Sequence, residues 1–237
     1  MIEIAICLAI IGFALVAIIG VLPYGMNTQR DNREETVVNQ DATVLLETIR
    51  NATRGADNLT NNVYAITNYR AYFDASLPPT YTSPGWSTAS YLTNGANIVG
   101  LLSTPEFTDI NGNPHAFRPV TGYSNHIIAY VRSISGTAAE KPPQNNTIMV
   151  EDTFTYRLYC VNSAVAFDPN SALGGFSKQL NGNLHELRMT FLWPQLPNGN
   201  LGNGRQTFRV SVAGQLAPDV NNPGLYFYRS QYFTNAP

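Results

Sequence analysis

Nineteen consecutive residues, Ile4–Leu22, contain no charge, no side-chain amide and no proline, and a single acid, Glu3, stands immediately before them. A helix of about 20 residues rising roughly 1.5 Å per residue crosses about 30 Å of hydrocarbon. The run therefore predicts a helix that spans a bilayer or packs in an equally apolar setting, and the rest of the chain must fit around it. A secretory signal peptide would have a basic start, a shorter apolar core and a small-x-small cleavage site. Here Glu3 replaces the basic start, the run is too long, and no Ala-x-Ala precedes Gln29. A plain single-pass anchor accounts for the length but leaves a carboxylate at the edge of the hydrocarbon, which is disfavoured unless something pairs it. A helix packed among copies of itself accounts for both.

The segment Met1-Ile-Glu-Ile-Ala-Ile-Cys-Leu-Ala-Ile-Ile-Gly-Phe-Ala-Leu-Val-Ala-Ile-Ile-Gly-Val-Leu-Pro-Tyr24 resembles the N-terminal segment of type IV pilins and type II secretion pseudopilins. Glu3 matches the family's glutamate, Gly12 its helix glycine, and Leu22-Pro23 the Leu-Pro that closes the apolar stretch. The stretch Gly20-Val-Leu-Pro-Tyr-Gly25 is similar to that of pilin-like proteins of planctomycete and verrucomicrobial bacteria. The resemblance implies a leader removed by a prepilin peptidase, methylation of the new N-terminus, and pairing of Glu3 with the N-terminal amine of a neighbouring subunit. It implies that Gly12, Gly20, Pro23 and Gly25 shape the kink and packing of the helix. The implied partners are copies of the chain in a helical filament, the inner membrane before assembly, and the pilus or secretion assembly machinery. The implied location is the inner membrane first and an extracellular or periplasmic filament afterwards. Only two residues precede Glu3, and Leu22-Pro23 lies about one helical turn later than in the family, so the sequence is expected to be clipped or to start downstream of the true N-terminus. The resemblance covers the first tenth of the chain.

Beyond the apolar run, Val38, Ala42, Leu45 and Ile49 recur at the spacing of one helical stripe. Residues 1–23 are therefore expected to form the apolar helix, 24–52 its amphipathic continuation, with Pro23 and Gly25 as points where it bends or melts, and 53–237 a β-rich globular domain. The cluster Asn51–Thr60, with Gly55, Asp57 and its asparagines, reads as the helix end. Val63–Phe73 has no clean period and fits a short helix or a strand. Leu77–Trp86, with three prolines, reads as loop, and Ser87–Ser103 and Thr104–Gly122 as irregular with short extended pieces. Alternation predicts strands at His126–Ile134, Ile148–Val161, Leu184–Leu192, Gln206–Val212 and Leu225–Phe233. A long helix packed on an antiparallel sheet is an α+β fold, which is also the shape the pilin resemblance implies.

Catalytic signals are sparse, and no enzyme is expected. His115, His126 and His185 fall in different elements and read as surface or turn residues; no G-x-S-x-G, GxGxxG or phosphate loop occurs. Cys7 and Cys160 sit in different settings, so no disulfide or cysteine-based zinc site is expected, and Cys160 reads as a small buried hydrophobe. A formal net charge of −2 and only 13% charged residues leave no footprint for nucleic acid. Asp109-Ile-Asn-Gly-Asn113 places Asp109, Asn111 and Asn113 at alternate positions, like the opening half of a calcium loop, but Pro114 and Val120 stand where that loop needs glycine and a bidentate acid. A simple Asn-Gly turn explains it better, although the resemblance to pseudopilins, some of which bind calcium in the globular domain, keeps calcium as a candidate. The expected function is a structural filament subunit; the alternative is a membrane-tethered extracytoplasmic module binding a glycan or a protein.

Overall fold

The computed structural model describes residues 2–51, 56–57, 59–75, 77–86, 92–135, 154–165, 179–180, 182–196 and 198–233. Its first element is one unbroken helix, α1 (Ile2–Arg50), 49 residues long. Leu, Ala, Ile, Glu and Gln supply most of its good helix formers. Pro23 lies inside it and withholds one backbone donor, yet the helix runs on through Gly25 on the bonds of its neighbours. It stops at Arg50, with Asn51 N–H closing the last turn onto the Glu47 carbonyl at 2.9 Å. Arg50 sits in that last turn, where a cation meets the negative end of the helix dipole.

The chain divides into two compact units, Met1–Asn39 and Gln40–Pro237. In the second unit, the end of α1 buries Ala42, Leu45 and Ile49, three of the four stripe residues expected to face a core. Full burial of a Leu or Ile side chain stabilises by about 1.5–3 kcal/mol, so this one stripe is a substantial anchor.

The remainder of that unit is an antiparallel sheet. Its strands are β1 (Val63–Asp74), β2 (Leu77–Trp86), β3 (Phe107–Thr108), β4 (Pro114–His115), β5 (Gly122–Arg132), β6 (Thr155–Ala164), β7 (Leu184–Gln195) and β8 (Leu201–Ala213). The main path runs β2-β1-β5-β6-β7-β8, with β3 paired to β5 and β4. The last four strands form a meander, in which the strict alternation of β6 and β7 buries every second side chain. Leu158, Cys160, Leu187, Met189 and Phe191 fill one face. Tyr156 and Phe191 meet at a tilt with ring centroids 5.2 Å apart, and Phe208 meets Phe191 edge-on at 5.5 Å. A separate hairpin, β9 (Gln215–Pro218) with β10 (Tyr226–Arg229), and two short helices, α2 (Leu59–Asn62) and α3 (Gly95–Leu102), complete the unit. The layout is α+β, a long N-terminal helix followed by a C-terminal antiparallel sheet.

Three expectations need correction. Leu77–Trp86 is not a loop but strand β2, paired antiparallel to β1 from Asp74↔Leu77 to Thr67↔Trp86. Its prolines are tolerated because it ends the strand order and leaves one side without a ladder to supply. Ser87–Ser103 is not irregular throughout, because Gly95–Leu102 is α3, capped by Asn94, whose side chain accepts from Ala96 N–H at 2.9 Å. The last predicted strand shrinks to Tyr226–Arg229, since only those residues find a partner in β9. The ambiguous Val63–Phe73 is a strand; the predicted strand residues 148–153 lie outside the described residues.

Candidate functional site

The candidate surface is the first unit. None of the most apolar 18-residue window of α1 is buried, and that window is long and apolar enough to cross a membrane. Thirteen large apolar side chains from Ile2 to Leu22 stand more than half exposed, from 53% at Leu15 to 80% at Phe13. Keeping so many out of an apolar environment forfeits on the order of 20 kcal/mol, far more than a domain's net stability. The apolar part of α1 thus has the length and composition of a membrane anchor or a signal sequence.

Glu3 lies in the first turn of α1, where a carboxylate meets the positive end of the helix dipole. It is the only charged residue between Ile2 and Gln29. Gly12, Gly20 and Gly25 form bare spots on the helix surface, since a Cβ built on any of them would meet nothing within 4 Å. Such spots let a second helix approach closely. Pro23 sits within the same helix, near exposed Tyr24 and Met26. All the residues expected to serve assembly are thus on the exposed N-terminal part of one helix. Polar chemistry begins past Met26: Thr28 Oγ1 donates to the Tyr24 carbonyl at 3.0 Å, and Arg30 pairs with Glu34 at 2.8 Å.

The calcium candidate has a different geometry from a waiting ion site. Asp109, Asn111 and Asn113 do come together, but around one another. Asp109 Oδ1 accepts from Asn111 N–H at 2.9 Å and Asn113 N–H at 2.8 Å, and Oδ2 accepts from Asn113 Nδ2 at 2.9 Å. Gly112, at φ +84°, closes the turn by donating to the Asp109 carbonyl at 3.1 Å. Burial pushes the Asp109 carboxyl up, but the donations it receives from Asn113, Asn111 and Gly112 together outweigh that and hold it below its ordinary range. Among the described residues no group of three or more His, Cys, Asp or Glu side chains is placed to hold a metal.

Two groups missed in sequence are buried in the second unit. Asp41 is fully buried and its carboxylate collects four donors: Ile134 N–H at 2.9 Å and Tyr156 Oη at 3.0 Å on Oδ2, Ser135 N–H at 2.8 Å and Ser135 Oγ on Oδ1. Burial pushes its carboxyl above the usual range, and the donations from Ser135, Ile134 and Tyr156 offset part of that. The signal was available: Asp41 stands four residues before Leu45, on the same helical stripe. His185, expected at the surface, is only 5% exposed. It falls on the core side of β7 and packs edge-on against Tyr228 at 5.7 Å, while His115 and His126 are exposed as expected.

Searches outside the chain add no relative. No protein-family model matches it, no curated protein matches it, and no solved structure matches it.

Proposed function

We propose that the chain is a pilin-like structural subunit, assembled into a filament through the apolar part of α1. The observation that carries this reading is the wholly unburied apolar stretch of α1 from residue 2 to residue 22, with Glu3 as its single charge. The α+β layout and the sequence resemblance of Met1–Tyr24 to prepilin segments support it. In the proposed cycle the helix first rests in the inner membrane, where prepilin peptidase and the assembly machinery act on the precursor. Helices then bundle with one another, satisfying the same apolar surface. Glu3 meets the positive N-terminus of a neighbour in a low-dielectric core, where an unpaired charge would be costly and a paired one is strongly directional. Gly12 and Gly20 allow the helices to approach.

Glu3→Gln and Glu3→Ala in the source organism test it. Both variants are expected to accumulate in the membrane with the second unit folded and to lower the yield of sheared surface or periplasmic filaments. Wild-type filament yield from either variant overturns the role of Glu3. A wild-type chain found only as a membrane-bound monomer overturns the filament reading and leaves a tethered module.

A further inference from the structure

The chain's net charge conceals a basic face. Register fixes which side chains share the side of the sheet opposite the core. On that side Tyr130 lies against Arg157, Arg157 against Leu192, and Leu192 against Arg205. The next row is Tyr159, Thr190 and Thr207, and the row beyond it is Val161, Arg188 and Arg209. With Arg132 opposite Thr155, five arginines stand on this side among the described residues, against one acid, Glu186. Five of the chain's 14 basic residues thus give one face a charge of about +4 in a molecule whose net charge is −2.

Two features distinguish this face from an ordinary solvated strand surface. Arg188 and Arg209 are directly opposed on neighbouring antiparallel strands, an arrangement that repels and costs stability. Their guanidiniums are also poorly served. Glu186 reaches Arg188 Nε only at 3.5 Å, and the Nε atoms of both Arg188 and Arg157 lack a hydrogen-bond acceptor among the described residues. Arg205 and Arg209 are exposed and make no ion pair among the described residues. The packing of the core face holds the pair in this register, and an anion bound between the two relieves the repulsion.

We propose that the β7–β8 half of this face binds an acidic polysaccharide, a glycan carrying repeated carboxylates. Charge complementarity requires an anion, and the planar fork of arginine matches a carboxylate bidentately. Thr190 and Thr207, hydrogen-bonded to each other at 3.0 Å between the arginine rows, offer hydroxyls to neutral sugar hydroxyls. Arg205 and Arg209 lie four residues apart on β8, a span of about 13 Å, so an extended polymer engages the face better than a single ion does. A single-stranded nucleic acid stacks successive bases on several open rings, but here Arg157 lies over Tyr130 at 5.1 Å and Arg132 over Tyr64 at 5.2 Å, which leaves Tyr159 as a single ring between the arginine rows. The inference is independent of whether the chain forms filaments.

The test uses the full chain in a mild non-ionic detergent, with polygalacturonate as probe and neutral dextran and oligothymidylate as comparators, followed by biolayer interferometry. Polygalacturonate is expected to bind and to weaken steeply as salt rises, and dextran not to bind. The double variant Arg188→Gln/Arg209→Gln is expected to weaken binding at least tenfold, and Arg229→Gln, on β10, to leave it within twofold. Removing both charges of a repulsive pair should not unfold the sheet, and far-UV circular dichroism with a urea midpoint at or above wild type verifies that. No binding of polygalacturonate at low salt overturns the proposal, as does binding indifferent to the double variant. Tighter binding of oligothymidylate, lost in the same variant, also overturns it and assigns the face to nucleic acid.

Discussion

His185 makes the stability of the second unit sensitive to mild acid. Its ring lies on the core side of β7, opposite Ala164 of β6 and Val212 of β8, with Tyr228 edge-on against it. Nε2 has no hydrogen-bond partner among the described residues, while the ring donates to the Gly182 carbonyl. The ring is therefore folded in its neutral form, and burial lowers its pKa from 6.5 to about 4, the Gly182 contact opposing this only in part. Above pH 6.5 the imidazole is neutral whether the chain is folded or not, and its burial costs nothing in protonation. Below 6.5 the unfolded chain takes up a proton that the folded one refuses until about pH 4. Stability is lost across that window at about 1.4 kcal/mol per pH unit, about 3 kcal/mol in all. Urea unfolding of the full chain in detergent at pH 7.5 and 4.5, for wild type and His185→Gln, isolates this contribution. The variant starts less stable, because it loses the ring's packing, but its decline between the two pH values should be smaller than the wild type's by about 2–3 kcal/mol. Equal declines in the two proteins would refute the assignment of His185 as a buried neutral ring.

Asp41 has the opposite sign: its folded pKa is raised, so its contribution is most favourable near and below the ordinary carboxylate value and diminishes as pH rises through the folded pKa. Asp41→Asn orphans one of the backbone N–H groups of Ile134 or Ser135 and should cost about 1–3 kcal/mol, with the wild type's advantage shrinking from pH 4 to pH 7; a constant advantage in urea titrations would count against this. Cys160 is fully enclosed, donates Sγ–H to the Leu102 carbonyl at 3.1 Å, and has its thiol pushed by burial up to about 12. In a Cys7→Ser background a maleimide should therefore label it only at the rate of unfolding, and rapid labelling of the folded chain at pH 7.5 would contradict that burial.

Where a local pattern decides the structure, the sequence was readable. The apolar run and the stripe at Ala42, Leu45 and Ile49 declare α1, because a helix must present its apolar residues on one side. The alternation in β6 and β7 declares strands buried on one face. What was unreadable depends on partners distant in the chain. Leu77–Trp86 carries prolines that argue against a strand, and only its place beside β1 at the end of the strand order makes them harmless. Gly95–Leu102 is too short for a helical period to stand out, and its glycines weaken the signal further; Asn94 as a cap was the one local clue.

The two candidate surfaces divide along the same line. Glu3 and the bare glycines lie within one helix, so their juxtaposition follows from helical geometry alone. The arginine face cannot be found that way, because Arg157, Arg188 and Arg205 lie on three different strands and acids elsewhere in the chain balance the overall charge. Register brings them to one side: a one-residue slip of β8 against β7 would turn Arg205 and Arg209 toward the core and Phe208 and Val210 outward. Buried Met189 opposite half-buried Phe208, with Phe208 edge-on against Phe191, and buried Val212 opposite buried His185 hold that register. The apolar packing of the core face thus determines the charge of the opposite face, and a slip that relieved the arginine repulsion would strand buried Val212 in water at a cost of about 1.5–3 kcal/mol, with half-buried Phe208 adding to it. That exceeds the roughly 0.2–1 kcal/mol of a cross-strand pair, so the repulsion between Arg188 and Arg209 persists in the folded sheet.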